Sequence, residues 1–286
     1  MVLKPSRFYK IIQQMKKVIL LNFIFLTFLF AISAQSEVFI IVHGTWSSFS
    51  PWHRCKSSFF KALEQNASKD THVVGFNWNG KNSYQDRKLA AQELKNLILS
   101  YKNTKINIVA HSHGVNVAIK TSHLLANHPK AIQTLFALGV PVDEVNYIPN
   151  MNAIEFLYNL FSFNDFVQTT FGMFKRTFPD NPNIANLRVF INNNEPTHQQ
   201  LHDKLIAQWI PHIHKDYVQQ KKCSFRKFRY EQPAILCLFD NSEPIYTIDS
   251  YFEELLKEDQ NLDLYLPSVF LRKKIIPNEE KQPKIE

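Results

Sequence analysis

Ser112 sits in Ala110-His111-Ser112-His113-Gly114, directly after the apolar run Ile106 to Ala110 (INIVA) and directly before a helical pattern, Val115 to Ala126. A serine hydroxyl attacks a carbonyl only when a base takes its proton. The pattern G-x-S-x-G corresponds to a strained strand-to-helix turn that lifts such a serine out of the chain and requires small neighbours. Ala110 stands at the first glycine position and keeps it small. Ser112 is therefore the expected nucleophile. A serine capping the following helix is the plainer reading, and the two are compatible.

The base needs a carboxylate to hold its tautomer and stabilise its cation, and around such a turn the chain order is serine, acid, histidine. Asp165 follows the apolar run Ala153 to Phe161 and is the expected acid; Asp143, after the preceding run, is the alternative. Either aspartate could instead cap its own turn. After the run Leu187 to Ile191 the chain reads NNNEPTHQQLHD, which makes His198 the expected base and His202, one turn later, its competitor. The oxyanion formed by attack needs backbone N–H donors aimed in advance. His43-Gly44-Thr45-Trp46 follows the run Val38 to Val42, so Thr45 or Trp46 is expected to supply one donor and His113 the other. Trp46, Phe49 and Trp52 are candidates for an acyl pocket or for ordinary core. Histidines 198, 202, 212 and 214 raise the question of zinc, but no closed ligand set or HExxH accompanies them. Neither metal nor cofactor is expected.

These residues need a frame that sets them at one edge. Val38 to Val42, Val73 to Trp78, Ile106 to Ala110, Thr134 to Val140, Ala153 to Phe161 and Leu187 to Ile191 read as six buried strands. Trp52 to Asn66, Asp86 to Tyr101, Val115 to Ala126 and His198 to Ile210 show helical spacing. Alternation of this kind predicts an α/β fold, a mostly parallel central sheet with helices on both faces, whose reacting groups gather beyond the carboxyl ends of the strands. Phe163 to Asn186 is too long for a simple connection and is either a small lid or a loop packed at the sheet edge. Residues after 213 do not continue the alternation and are read as a C-terminal extension without a derivable fold.

A chain of 286 residues, 45% hydrophobic, can bury a full core. The net charge of +8 includes Lys4, Arg7, Lys10, Lys16 and Lys17, and without those five about +3 remains. That is too little to suggest a nucleic-acid partner. The same five precede the uncharged stretch Val18 to Ala34, which ends in small residues. That order predicts a signal peptide over 1–34 and an exported protein, with an N-terminal membrane anchor as the alternative. In an oxidising compartment Cys223 and Cys237 are the expected disulfide pair and Cys55 the odd thiol; three buried thiols is the plainer outcome. Lys221 to Arg229 is a basic cluster for an acidic membrane surface, or simply a solvated face. Asn66-Ala67-Ser68 is a glycosylation sequon, relevant only in a eukaryotic source.

Taken together, VHGTW, FNWNGKNSYQDR, INIVAHSHGVNVAIK, LFSFND and PTHQQLH resemble the bacterial α/β-hydrolase lipases and esterases over about residues 38–212. The resemblance implies that fold over 35–212, a Ser-His-Asp triad, and hydrolysis of a small-molecule or lipid ester through an acyl-enzyme. The WNGKNS…R segment resembles a subgroup whose substrates the sequence does not specify. Thioester or amide hydrolysis by the same machinery is the first alternative, and a catalytically inactive hydrolase fold used as a binding module is the second.

Overall fold

The computed structural model describes residues 16–17, 36–47, 51–167, 175–223, 234–238 and 245–248. The chain divides into Met1–Gln35, of which only Lys16 and Lys17 are described, in a helical turn, and Ser36–Glu286. The signal-peptide stretch 18–34 lies outside the described residues. Among the described residues no helix is long and apolar enough to cross a membrane.

Eight strands form one sheet: β1 (Ser36–Val42), β2 (Thr71–Phe76), β3 (Thr104–His111), β4 (Ile132–Leu138), β5 (Ile154–Phe161), β6 (Ile184–Ile191), β7 (Ala234–Leu238) and β8 (Ile245–Ile248). Their order across the sheet is β2-β1-β3-β4-β5-β6-β7-β8. Strands β1 to β7 run parallel and β8 is antiparallel to β7. The helices are α1 (Ser58–Asn66), α2 (Tyr84–Ser100), α3 (His113–Leu124) and α4 (Lys204–Cys223).

Helices cover both faces, which is why the central strands carry apolar side chains without interruption. In β1, Val38, Ile40 and Val42 join the core layer that holds Leu94 of α2 and Val117 of α3. Phe39 and Ile41, pointing the other way, join the layer of Phe59 and Leu63 from α1 and Ile206 and Ile210 from α4. Burying both sides of a strand leaves no register in which a one-residue slip is harmless. Local signals start the helices: Ser57 Oγ caps α1 by accepting the N–H of Phe60, and Ser83 Oγ caps α2 by accepting that of Asp86.

Each of the six strands and four helices read from the pattern exists, with ends shifted by a few residues, except that α1 starts at Ser58, after a separate 3-10 turn at Pro51–His53, rather than at Trp52, and that both ends of the fourth helix differ. His198 to Asp203 forms a loop with a 3-10 turn at Gln200–His202, and α4 begins at Lys204. The C-terminal residues depart further from expectation. Helix α4 runs on past Pro211 to Cys223, and β7 then adds to the sheet beside β6, so the alternation continues one step beyond residue 213. Most of the connection read as lid or loop is described: Val142 and Lys175 form an isolated antiparallel bridge, while residues 168–174 lie outside the described residues. So do residues 224–229 of the basic cluster and the side chains of Cys223 and Cys237; Cys55 is free and exposed.

Candidate active site

The chain passes from β1 outward to β2 and returns to β3 on the other side of β1. That reversal opens a crevice beyond the carboxyl ends of β1 and β3, where parallel sheets bind ligands. Gly44 follows one strand and Ser112 the other. A Cβ on Gly44 would lie 2.8 Å from Ser112 Cβ and 3.0 Å from the His111 carbonyl oxygen. Only a glycine lets the two loops approach so closely. Gly114 does the same on the far side of the turn, where a Cβ would meet the His43 carbonyl oxygen at 2.4 Å.

Ser112 takes φ 54° and ψ −131°, a strained conformation for a residue with a side chain. Its N–H donates to the Leu138 carbonyl at 2.9 Å, tying the turn to the end of β4. The next residue, Gly139, has φ +57°, and a Cβ there would meet Asp165 Oδ2 at 3.0 Å and His198 Nδ1 at 3.2 Å. The end of β4 thus touches the serine turn on one side and the acid and base on the other.

His198 and Asp165 are paired: Nδ1 lies 2.7 Å from Asp165 Oδ2, with the aspartate side chain fully buried and the imidazole 14% exposed. An Nδ1–H donated to the carboxylate leaves Nε2 as the basic nitrogen. No hydrogen bond joins Ser112 Oγ to His198, and such contacts are often loose before substrate binds. Two further residues fix the pair. His111 Nε2–H donates to the His198 carbonyl oxygen at 2.9 Å. Glu195, on the loop that carries His198, accepts from Ser162 Oγ at 3.2 Å and from Arg188 Nε at 3.1 Å, and its carbonyl accepts from Asn164 Nδ2 at 3.0 Å. The loops bearing acid and base are locked to each other.

The alternative candidates are placed otherwise. Asp143 Oδ1 accepts the N–H groups of Val145 and Asn146, both at 3.0 Å, and Oδ2 accepts from Asn146 Nδ2 at 2.8 Å; desolvation, the largest single effect, raises its pKa, but these bonds, the Asn146 side chain first, together lower it. It caps its own turn. His202 stacks flat on Trp52, ring centroids 4.9 Å apart, with its pKa lowered mainly by burial. Trp52 is buried among Phe59, His111 and His202, whereas Trp46 is 71% exposed and Phe49 lies outside the described residues.

Of the expected oxyanion donors, Trp46 is engaged: its N–H donates to the Gly80 carbonyl at 2.7 Å. The N–H groups of Thr45 and His113 make no hydrogen bond to the described residues. The Gly44 loop is held from below by His43, whose Nδ1–H donates to the Gly44 carbonyl at 2.8 Å while Nε2 accepts the Trp78 N–H at 3.3 Å. Trp78 Nε1–H returns a bond to the His43 carbonyl at 2.7 Å. VHGTW and FNWNG are therefore one interlocked unit. Burial lowers the pKa of His43 and of His113 to about 4, and that of His111 well below its ordinary value, so three of the clustered imidazoles are neutral at pH 7. Among the described residues no group of three or more His, Cys, Asp or Glu side chains is placed to hold a metal ion.

Strand order, helices on both faces and the strained turn at Ser112 together settle the architecture. The chain has the α/β-hydrolase fold. Residues 33–148 of the chain match the protein family described as "Putative serine esterase (DUF676)", a stretch that contains the Gly44 loop and the Ser112 turn. No curated protein matches the chain. Among solved structures it is similar to lipase B of Aspergillus fumigatus, at 13% identity over 62% of this chain and 51% of that one, with a TM-score of 0.40. It is also similar to a cutinase-like protein from Cryptococcus sp., at 16% identity over 37% of this chain and 54% of that one, with a TM-score of 0.31. The chain spans about half the length of these structures.

Sequence reasoning missed Gly139, His111, Glu195 and Gly80 as parts of the site. A lone glycine directly after a strand, as in LGVP, is a usable signal for Gly139. Nothing local marks Glu195, whose partners are on other elements.

Proposed function

We propose that the protein is a serine hydrolase of carboxylic esters, with Ser112 as nucleophile, His198 as base and Asp165 as its orienting carboxylate. His198 Nε2 takes the Ser112 proton as Oγ attacks the ester carbonyl. The oxyanion is held by the N–H groups of Thr45 and His113, neither of which has another acceptor among the described residues. His198 then gives its proton to the departing alkoxide, leaving an acyl-Ser112. Water, deprotonated by the same imidazole, attacks the acyl carbonyl; the acid leaves and Ser112 recovers its proton. Small-molecule or lipid esters fit this scheme, with no metal or cofactor in any step.

The observation that carries the reading is the 2.7 Å His198–Asp165 contact at the same strand end that anchors the Ser112 turn. The family similarity over 33–148 supports it independently. The proposal includes export, with residues 1–34 removed as a signal peptide. Matched ester, thioester and anilide substrates of one acyl group test the bond cleaved. The ester is expected to be hydrolysed with the highest kcat/KM, and cleavage of the anilide alone contradicts the ester reading.

A further inference from the structure

Arg87 is 8% exposed, on the first turns of α2, at the end of the WNGKNSYQDR segment. Its Nε–H donates to Tyr147 Oη at 2.8 Å and its Nη1–H to Asn82 Oδ1 at 3.0 Å. Both acceptors are neutral. No carboxylate among the described residues pairs with it: that of the neighbouring Asp86 accepts from Asn79 Nδ2. The guanidinium also lies 5.7 Å from the Tyr147 ring centroid, but a buried cation without a counter-charge is costly, and an anion would offset that cost. Nη2 makes no hydrogen bond to the described residues. Tyr147, accepting from Arg87, has no acceptor among the described residues for its own hydroxyl proton.

The position of this cation bears on the reaction. Its acceptor Asn82 stands two residues after Gly80, whose carbonyl holds the Trp46 N–H of the Gly44 loop, and its charge adds to the burial that lowers the pKa of His113. A second cation stands nearby: Lys120 Nζ lies 5.1 Å from the Tyr147 ring centroid and 3.6 Å from that of Tyr84. Against these, the described residues bring no ion pair to Arg87 or Lys120.

We propose that Arg87, assisted by the Tyr147 hydroxyl, receives an anionic group of the substrate, so that the preferred esters carry a negative charge near the bond that is cut. The inference rests on the ester-hydrolase reading and names its substrate class. A guanidinium with an unpaired N–H edge suits a planar carboxylate best. Lys120 adds long-range attraction.

The test compares 4-nitrophenyl butyrate with the 4-nitrophenyl monoester of succinic acid, which differs by the terminal carboxylate. Wild-type kcat/KM is expected to favour the succinate monoester by about tenfold or more. In Arg87→Met the ratio should fall to about one, and in Arg87→Lys to an intermediate value. A ratio is independent of the fraction of active enzyme, so partial misfolding does not imitate the result. Should Arg87→Met not fold at all, wild-type hydrolysis of the butyrate ester decides: succinate should inhibit it competitively and the neutral succinamide should not. Hydrolysis of both esters at equal rates, a preference that survives Arg87→Met, or equal inhibition by succinate and succinamide overturns this inference alone. Turnover of neither ester overturns the hydrolase reading and this inference with it.

Discussion

Asp165 and Asp143 both follow a strand, yet their surroundings separate them. Asp165 is fully buried against His198, and Asp143 spends its oxygens on the N–H groups of its own turn. Asp165→Asn should therefore lower kcat by on the order of 10³-fold or more, because the amide holds the wrong imidazole tautomer. Asp143→Asn, which preserves a capping side chain, should leave kcat within about threefold and stability within about 1 kcal/mol. Steady-state kinetics and thermal melts of both variants check the pair of claims. A large loss in the Asp143 variant alone would reassign the acid. The strained Ser112 turn and the Asp165–His198 contact were legible because a motif marks the turn and chain order points to the pair. Which of the Thr45 and Trp46 N–H groups stays unengaged was not legible: the bond from the Trp46 N–H to the Gly80 carbonyl depends on a loop from another strand, which no local pattern announces.

At the scale of elements, the end of β4 holds the site together. Leu138 anchors the serine turn through its carbonyl, and Gly139 occupies a left-handed conformation against Asp165 and His198. Gly139→Ala is strained twice, by φ +57° and by a Cβ 3.2 Å from His198 Nδ1. The expected result is a loss of about 1–3 kcal/mol in stability together with at least about tenfold in kcat. Urea unfolding and kcat measured side by side test this, and an unchanged kcat would mean that the β4 end does not set the acid–base geometry. The strands were legible because burial on both faces leaves short β-branched runs that cannot be helices. The fourth helix was not, at either end. His198 to Asp203 carries apolar spacing but folds as a loop with a 3-10 turn, and Pro211 interrupts the pattern that α4 nevertheless continues. Strand β7 (AILCL) was hidden for a related reason: it follows a long polar and basic stretch that breaks the alternation read from the sequence.

For the molecule as a whole, the same burial that builds the site makes it sensitive to acid. Once unfolded, His43 and His113 accept protons near the ordinary pKa of 6.5, whereas in the fold they do so only near 4. Their effect on stability is absent above about pH 6.5. It grows as pH falls toward 4, reaching on the order of 3 kcal/mol for each imidazole, with His111 adding in the same direction. Melting temperature should accordingly drop across pH 6.5 to 4. A flat profile in that window would show that these imidazoles are not held neutral. The central claim, an activated Ser112, is tested most directly by intact-mass analysis of the protein before and after exposure to a fluorophosphonate, alongside Ser112→Ala. A single phosphonate adduct on the wild type and none on the variant is the predicted result. A well-folded wild-type protein that takes up no adduct, or an adduct that persists in Ser112→Ala, would contradict it.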